Sequence, residues 1–311
     1  MPSYSGIWTL SQQFQAVGQG LWPLTDGTFA IFALGCAGGS RSTTRDKYTY
    51  SGCVVSAGGA ATVASYRGSA TGNSVVGIFA LGRTTVAVTT RNKYTYAGCV
   101  VSAGGAATTA STEGSAAGNS TVGIFALGAA PCASTTRNKY TYSGDVVSAG
   151  GAATVASYLS SAAGNSTTGI FALGQAFPAV TTRNKYTYSG CVVAAGGAAT
   201  AASCSGSAAG NGTVGIFALG NVAGSVSTTR DKYTYSGDVV SAGTAATAAS
   251  RSGSAAGASA VGIFALGRTT VAVTTRNKYT YSGDVVSAGG AATAASFEGS
   301  AASNGTSGVN I

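Results

Sequence analysis

The sequence predicts an all-β protein, a seven-bladed β-propeller of four-stranded blades, and three observations carry that prediction. Lys-Tyr-Thr-Tyr begins at Lys47, Lys93, Lys139, Lys185, Lys232 and Lys278, at spacings of 46, 46, 46, 47 and 46 residues. Ile-Phe-Ala-Leu-Gly keeps the same period, beginning at Ile31, Ile78, Ile124, Ile170, Ile216 and Ile263. A repeat of this length fits one four-stranded propeller blade. The composition agrees: 48 glycines and only four prolines stand among many Thr, Val, Tyr and Ser. Such a chain makes short strands between turns and no long helix.

One unit shows each element in order. Ala116-Ala117-Gly118 lies in a small-residue strand, and Asn119-Ser120 turns the chain. Gly123–Gly128 is a short continuous apolar run, the pattern of a strand buried on both faces. A variable loop then leads to Arg137–Tyr142, where the period of two puts Tyr140 and Tyr142 on one side. Ser143-Gly144 reads as a two-residue turn and Asp145–Ser148 as the returning fourth strand.

The ends of the chain set the expected blade count. Tyr4-Ser5-Gly6 matches the turn after the third strand, Trp8 and Thr9 take the fourth strand's place, and Ala16–Leu24 reads as a degenerate inner strand. Gly308–Ile311 stops where the apolar strand would begin. The expectation is therefore one domain, 1–311, whose residues 1–10 supply outer strands to the last blade and close the ring. The blades fall at 11–59, 60–105, 106–151, 152–197, 198–244, 245–290 and 291–311. A solenoid of this period would instead need polar caps.

"GIFALG" followed by a loop and then "KYTYSGDVV" resembles the kelch repeat, and the resemblance covers nearly the whole chain. In that family an apolar strand ends in a double glycine, with a tyrosine and then a tryptophan on the next two strands. Here a single glycine follows Leu127, and valine stands where the family has tryptophan, the mark of a divergent, bacterial-type branch. The resemblance implies a propeller and no single activity.

The repeated positions read as scaffold. Ala-, Gly- and Ser-rich strands suit the crowded middle of a ring, and the twelve tyrosines of the Tyr-Thr-Tyr blocks fill the wider space between blades. Asp145, Asp238 and Asp284 share a column with Cys53, Cys99 and Cys191. An aspartate there is expected to bond the backbone of its own turn. Neighbours in that column are too far apart for disulfides, and Cys36, Cys132 and Cys204 fall in loops of different blades, so free thiols and a cytoplasmic setting are expected. Twelve of the 17 basic residues are the Arg and Lys of the Thr-Thr-Arg-Asn/Asp-Lys blocks. Placed where the third strand begins, they predict one basic face, with a mildly acidic face opposite. Asp46, Asp145, Asp231, Asp238 and Asp284 are expected at rims or turns.

Two regions vary between copies. One is the loop after each Ile-Phe-Ala-Leu-Gly, at 36–42, 83–88, 129–134, 175–180, 221–227 and 268–273. The other is a dipeptide before each inner strand: Tyr66-Arg67, Thr112-Glu113, Tyr158-Leu159, Cys204-Ser205, Arg251-Ser252 and Phe297-Glu298. Strand order puts both on one face, with the dipeptides around the mouth of a central channel. Aromatic, arginine and glutamate side chains around a concave entrance suit a small ligand or glycan, and neutral drift at exposed positions is the alternative. The candidate ligand-binding residues are Tyr66, Arg67, Thr112, Glu113, Tyr158, Leu159, Arg251, Phe297 and Glu298, with Arg83 and Arg268 from the loops.

Absent chemistry narrows the function. The chain has no histidine, which removes the usual triads, imidazole ligands and the commonest general base. It also removes the histidine-ligated copper site of kelch-propeller oxidases. No phosphate loop, dinucleotide fingerprint, metal cluster or Cys-x-x-Cys pair is present. No apolar run reaches the length of a membrane helix, and no signal peptide is expected ahead of the repeats. The net charge is +9, yet no nucleic-acid module is visible. A soluble binding protein or scaffold without cofactor or catalysis is therefore expected, its partner a glycan or a protein. A structural, self-assembling subunit is the alternative.

Overall fold

A computed structural model describes residues 29–305. Among them are six four-stranded antiparallel sheets of one design. In the sheet of residues 115–149, Ser115–Gly118 pairs with Val122–Ala126, which pairs with Arg137–Thr141, which pairs with Val146–Ala149. The small-residue strand is innermost and wholly buried. Its alanines let neighbouring sheets approach closely there, and the apolar second strand is buried on both faces as its unbroken pattern requires. The predicted two-residue turn is longer: the last ladder pair is Thr141 with Val146, leaving a four-residue connection, Tyr142–Asp145. Both Gly144 (φ 80°) and Asp145 (φ 54°) take the left-handed conformation.

The innermost strands touch in sequence: 69–72, 115–118, 161–164, 207–210, 254–257, 300–303, and then 69–72 again. The contacts thus form a closed cycle of six. Six four-stranded sheets are described, against the seven blades expected. Ser300–Ser303 was expected to found a seventh unit completed by residues 1–10. Instead it pairs with Phe29–Ala33, matching Phe32 to Ala301 as Phe125 is matched to Ala116 in the third sheet. The first sheet thereby takes its inner strand from the far end of the chain. The inner strand expected at Ala16–Leu24 and the outer strand expected at residues 1–10 lie outside the described residues. Two small three-stranded sheets are added where the longer loops fold as hairpins, Cys36–Ala37 with Ser40–Arg41 and Asn221–Val222 with Ser225–Val226. Among the described residues no helix is long and apolar enough to cross a membrane.

The core lies between sheets. Val76 and Ile78 of one sheet pack against Ala116, Phe125, Tyr140 and Tyr142 of the next, and the other interfaces repeat that arrangement. The tyrosines therefore do fill inter-sheet space. Phe125 and Tyr140 meet edge to face with centroids 6.3 Å apart, a favourable quadrupole geometry.

The repeated arginines are also in this core and do not form the expected basic face. Arg45, Arg91, Arg137, Arg183, Arg230 and Arg276 are each about 1% exposed. Arg91 lies 4.4 Å from the Phe125 centroid of the next sheet and donates through Nη2 to Asn138 Oδ1 at 3.1 Å. Its flat, weakly hydrated guanidinium suits a stacked, buried position where lysine would not fit. Two of the six meet a carboxylate instead: Arg183 with Asp231 and Arg276 with Asp46, both at 2.7 Å. Asp46 and Asp231 are thus fully buried, not rim residues. The adjacent threonine adapts to its partner. It accepts from the amide where the partner is Asn138 and donates to the carboxylate where it is Asp231.

The other aspartates are also placed differently from expectation. Asp145 accepts from Tyr140 Oη at 2.7 Å and from Lys93 Nζ of the preceding sheet at 2.9 Å, and not from its own turn. Asp238 and Asp284 pair with Lys185 and Lys232 in the same way. Lys93, Lys185 and Lys232 are therefore each joined to an aspartate of the next sheet, which offsets the charge expected to make one face acidic. The tyrosine hydroxyl and the lysine draw the Asp145 and Asp238 carboxyls below their ordinary range, outweighing burial, which acts the other way.

Candidate functional site

The second residue of each variable dipeptide builds a ring. Arg67, Glu113, Leu159, Ser205, Ser252 and Glu298 all adopt positive φ, between 52° and 60°. For residues other than glycine this conformation costs about 1–2 kcal/mol, so something must hold it. Each backbone N–H donates to the carbonyl of its neighbour in the preceding sheet: Glu113 to Arg67 at 2.9 Å, Leu159 to Glu113 at 2.9 Å, Ser205 to Leu159 at 3.0 Å. Ser252 to Ser205 at 2.8 Å, Glu298 to Ser252 at 2.7 Å and Arg67 to Glu298 at 2.8 Å complete the circle. Six peptide groups are thus joined head to tail. The glycine ending each Ile-Phe-Ala-Leu-Gly fits beneath this ring. Gly82 has φ +70°, and a Cβ there would run into the Arg67 carbonyl.

The first residue of each dipeptide pairs with the variable loop of its own sheet. Tyr66 faces Arg83, Thr112 faces Ala129, Tyr158 faces Gln175, Cys204 faces Asn221, Arg251 faces Arg268 and Phe297 faces Cys36. Hence both variable regions lie on one face, and a second circle of side chains surrounds the first.

Over these circles opens a cavity of about 820 Å³. Eight of the expected site residues line it: Tyr66, Arg67, Glu113, Leu159, Arg251, Arg268, Phe297 and Glu298. Thr112, Tyr158 and Arg83 stand in the outer circle and are not part of the lining. The lining adds Ser205 and Ser252 from the ring and Cys36, Ser40 and Arg41 from the first hairpin. Arg41 sits in the extra length of that loop, which is one residue longer than the loop of the second sheet. Its guanidinium donates to the Thr84 carbonyl of that sheet.

The cavity is electrostatically lopsided. On one side Arg67 bridges two carboxylates, Glu113 at 2.5 Å and Glu298 at 3.1 Å. Burial works against the Arg67 charge, but the hydrogen bond and charge of Glu298, with Glu113, raise its pKa above the ordinary value. Burial raises the Glu113 carboxyl, with Arg67 opposing and Glu298 adding to the rise. The Cys36 thiol is pushed up by burial and then by Glu298, which leaves it a poor nucleophile. Across the cavity Leu159, Ser205 and Ser252 are uncharged, and Arg251 and Arg268 stand beside them.

Flat side chains frame the rim. The Arg67 guanidinium lies 5.3 Å from the Tyr66 centroid, and that of Arg268 lies 5.5 Å from the Phe297 centroid. Tyr158 meets Phe177 at 5.6 Å, and Phe177 is 73% exposed. Among the described residues no group of three or more Cys, Asp or Glu is arranged to hold a metal ion, and all six cysteines are unpaired. No family model and no curated protein matches this chain.

Proposed function

We propose that the chain is a six-bladed β-propeller of kelch-like repeats, working without catalysis as a binding protein whose ligand, a glycan or similar small polar molecule, enters the mouth of the ring. The cyclic contacts of the inner strands and the head-to-tail peptide ring support the closed, six-bladed form. One observation carries the binding reading. The side chains that differ between otherwise near-identical units converge on a single cavity, and they include stacking planes and charged forks. A pocket with an apolar or aromatic floor and a few oriented polar groups is the general form of a small-ligand site.

A glycan array run beside the triple variant Tyr66→Ala, Arg67→Ala, Phe297→Ala tests this reading. Binding by the wild type that the variant loses is the expected result. Silence of the wild type across the array would overturn it.

A second reading, a self-assembling structural subunit, has its own observation. Val54, Val100, Val146, Val192, Val239 and Val285 are each 55–58% exposed at the start of the six outermost strands. Exposed apolar edge strands invite pairing with other chains. Light scattering separates the two readings: large particles at micromolar concentration belong to the assembly, and a monodisperse monomer to the binding protein.

A further inference from the structure

In five of the six sheets the pair flanking the ring contains at most one charge; in the sixth it contains two of the same sign. Arg251 and Arg268 exchange both backbone hydrogen bonds, each at 2.9 Å. Residues in such a pair have Cα atoms about 5.5 Å apart and side chains on the same face. Like charges placed there destabilise the pair. Both arginines are exposed and line the cavity. Among the described residues neither has an acidic partner. The two carboxylates of the cavity, Glu113 and Glu298, are both held by Arg67. Four lining arginines against two glutamates leave a surplus of two positive charges. A loop elsewhere in the chain provides an internal control. Residues 83–96 are identical to residues 268–281, yet Arg83 faces Tyr66 where Arg268 faces Arg251.

We propose that Arg251 and Arg268 form an oxyanion subsite, and that the ligand is an acidic sugar whose carboxylate they hold. The sugar part rests on the glycan reading above; the oxyanion part stands without it. Two guanidinium forks side by side match the planar, two-oxygen geometry of a carboxylate. The Ser252 backbone in the ring directly follows Arg251, and the Phe297 ring, beside Arg268, offers a face on which a sugar can stack. The unfavourable juxtaposition of charge is resolved when the anion sits between them.

The test is titration of the full chain with glucuronate, glucose, glucose 6-phosphate and acetate, followed by ligand-observed NMR. Wild type is compared with Arg251→Gln, Arg268→Gln and, as control, Arg83→Gln, with melting temperatures recorded without ligand. Glucuronate affinity should fall at least about tenfold in the Arg251 and Arg268 variants and be unchanged in Arg83→Gln. Without ligand, Arg251→Gln and Arg268→Gln should melt at or above the wild-type temperature, because removing one like charge relieves the pair. Retention of glucuronate binding by Arg251→Gln, or a lower melting temperature for both variants, overturns the subsite. Binding of glucose equal to that of glucuronate also overturns it while leaving the glycan reading intact. Acetate binding that depends on both arginines, with no sugar bound, supports the subsite and sinks the glycan reading. Glucose 6-phosphate displacing glucuronate as the tighter ligand overturns the carboxylate assignment.

Discussion

The eleven arginines near the ring divide into two populations that use the same functional group oppositely. The six repeated ones are buried between sheets, stacked on phenylalanine and bonded to Asn or Asp. The five that are not repeated, Arg41, Arg67, Arg83, Arg251 and Arg268, all stand on the mouth face. In the first population the guanidinium serves packing, with a carboxylate at Arg183 and Arg276 and a neutral amide at the other four. In the second, charge is matched at Arg67 and left unmatched at Arg251 and Arg268. The repeated letters therefore build the sheets, and the unrepeated ones decorate the mouth face.

The largest expected effect comes from alkali and should arise in the inter-sheet core that holds the first population. Burial raises the phenol pKa of all twelve Tyr-Thr-Tyr tyrosines, to about 12 at Tyr94 and Tyr186. A folded value above the ordinary 10.0 contributes stability that is complete below pH 10 and is lost as the pH climbs through the folded value. The buried arginines act the other way. Burial lowers Arg45, Arg91, Arg137 and Arg230 to about 10, so their penalty is relieved above that pH. Twelve phenols outweigh six guanidiniums. Melting temperature should hold to about pH 9 and collapse above about pH 10 as tyrosinate absorbance appears. A flat profile through that window would break the distinction between the two regions.

Next in size is the buried pair Arg276–Asp46. Asp46→Leu leaves a buried guanidinium without its carboxylate and should cost about 3–5 kcal/mol in urea denaturation. Asp46→Asn reproduces the arrangement already used by Arg45, Arg91, Arg137 and Arg230 with their asparagines. It should stay within about 1 kcal/mol of wild type. Equal losses from both variants would mean that these interfaces need net neutrality, not a hydrogen-bond acceptor.

The smallest effect sharpens the view of the mouth. Leu159 holds φ 52° without glycine or asparagine to ease it. Leu159→Asn should stabilise the fold by up to about 1 kcal/mol, since asparagine tolerates the left-handed region better. A loss of stability would show that the Leu159 side chain packs against something that outweighs its backbone strain.

The strand pattern, the inter-sheet tyrosines and the confinement of variable letters to one face were legible because period and alternation report them directly. The placement of Ser300–Ser303 was not: six copies of the outer strands leave open which strand it joins, and the answer is a contact with Phe29–Ala33 some 270 residues away in the chain. The burial of Arg91 and its equivalents was hidden by their charge. Their recurrence in every copy was the available signal, because a solvated rim has no need to keep one residue type six times. At the site, the ring residues could be located by sequence. The bridging of Arg67 by Glu113 and Glu298 could not, since Glu298 comes beside the second sheet only because Ser300–Ser303 joins the first.

The head-to-tail circle of peptide groups has no first member, and its six sockets accept arginine, glutamate, leucine or serine with nearly the same backbone angle. Exchange between repeats can therefore carry a side chain from one socket to another without altering the frame. Residues 83–96 and 268–281 are identical, as such an exchange would leave them. The same copied loop met tyrosine in one place and arginine in another, and the two meetings made different chemistry. Recombination within one gene is then a way of composing new rims from existing parts, and the alphabet of this face can be rewritten faster than the sheets beneath it can drift.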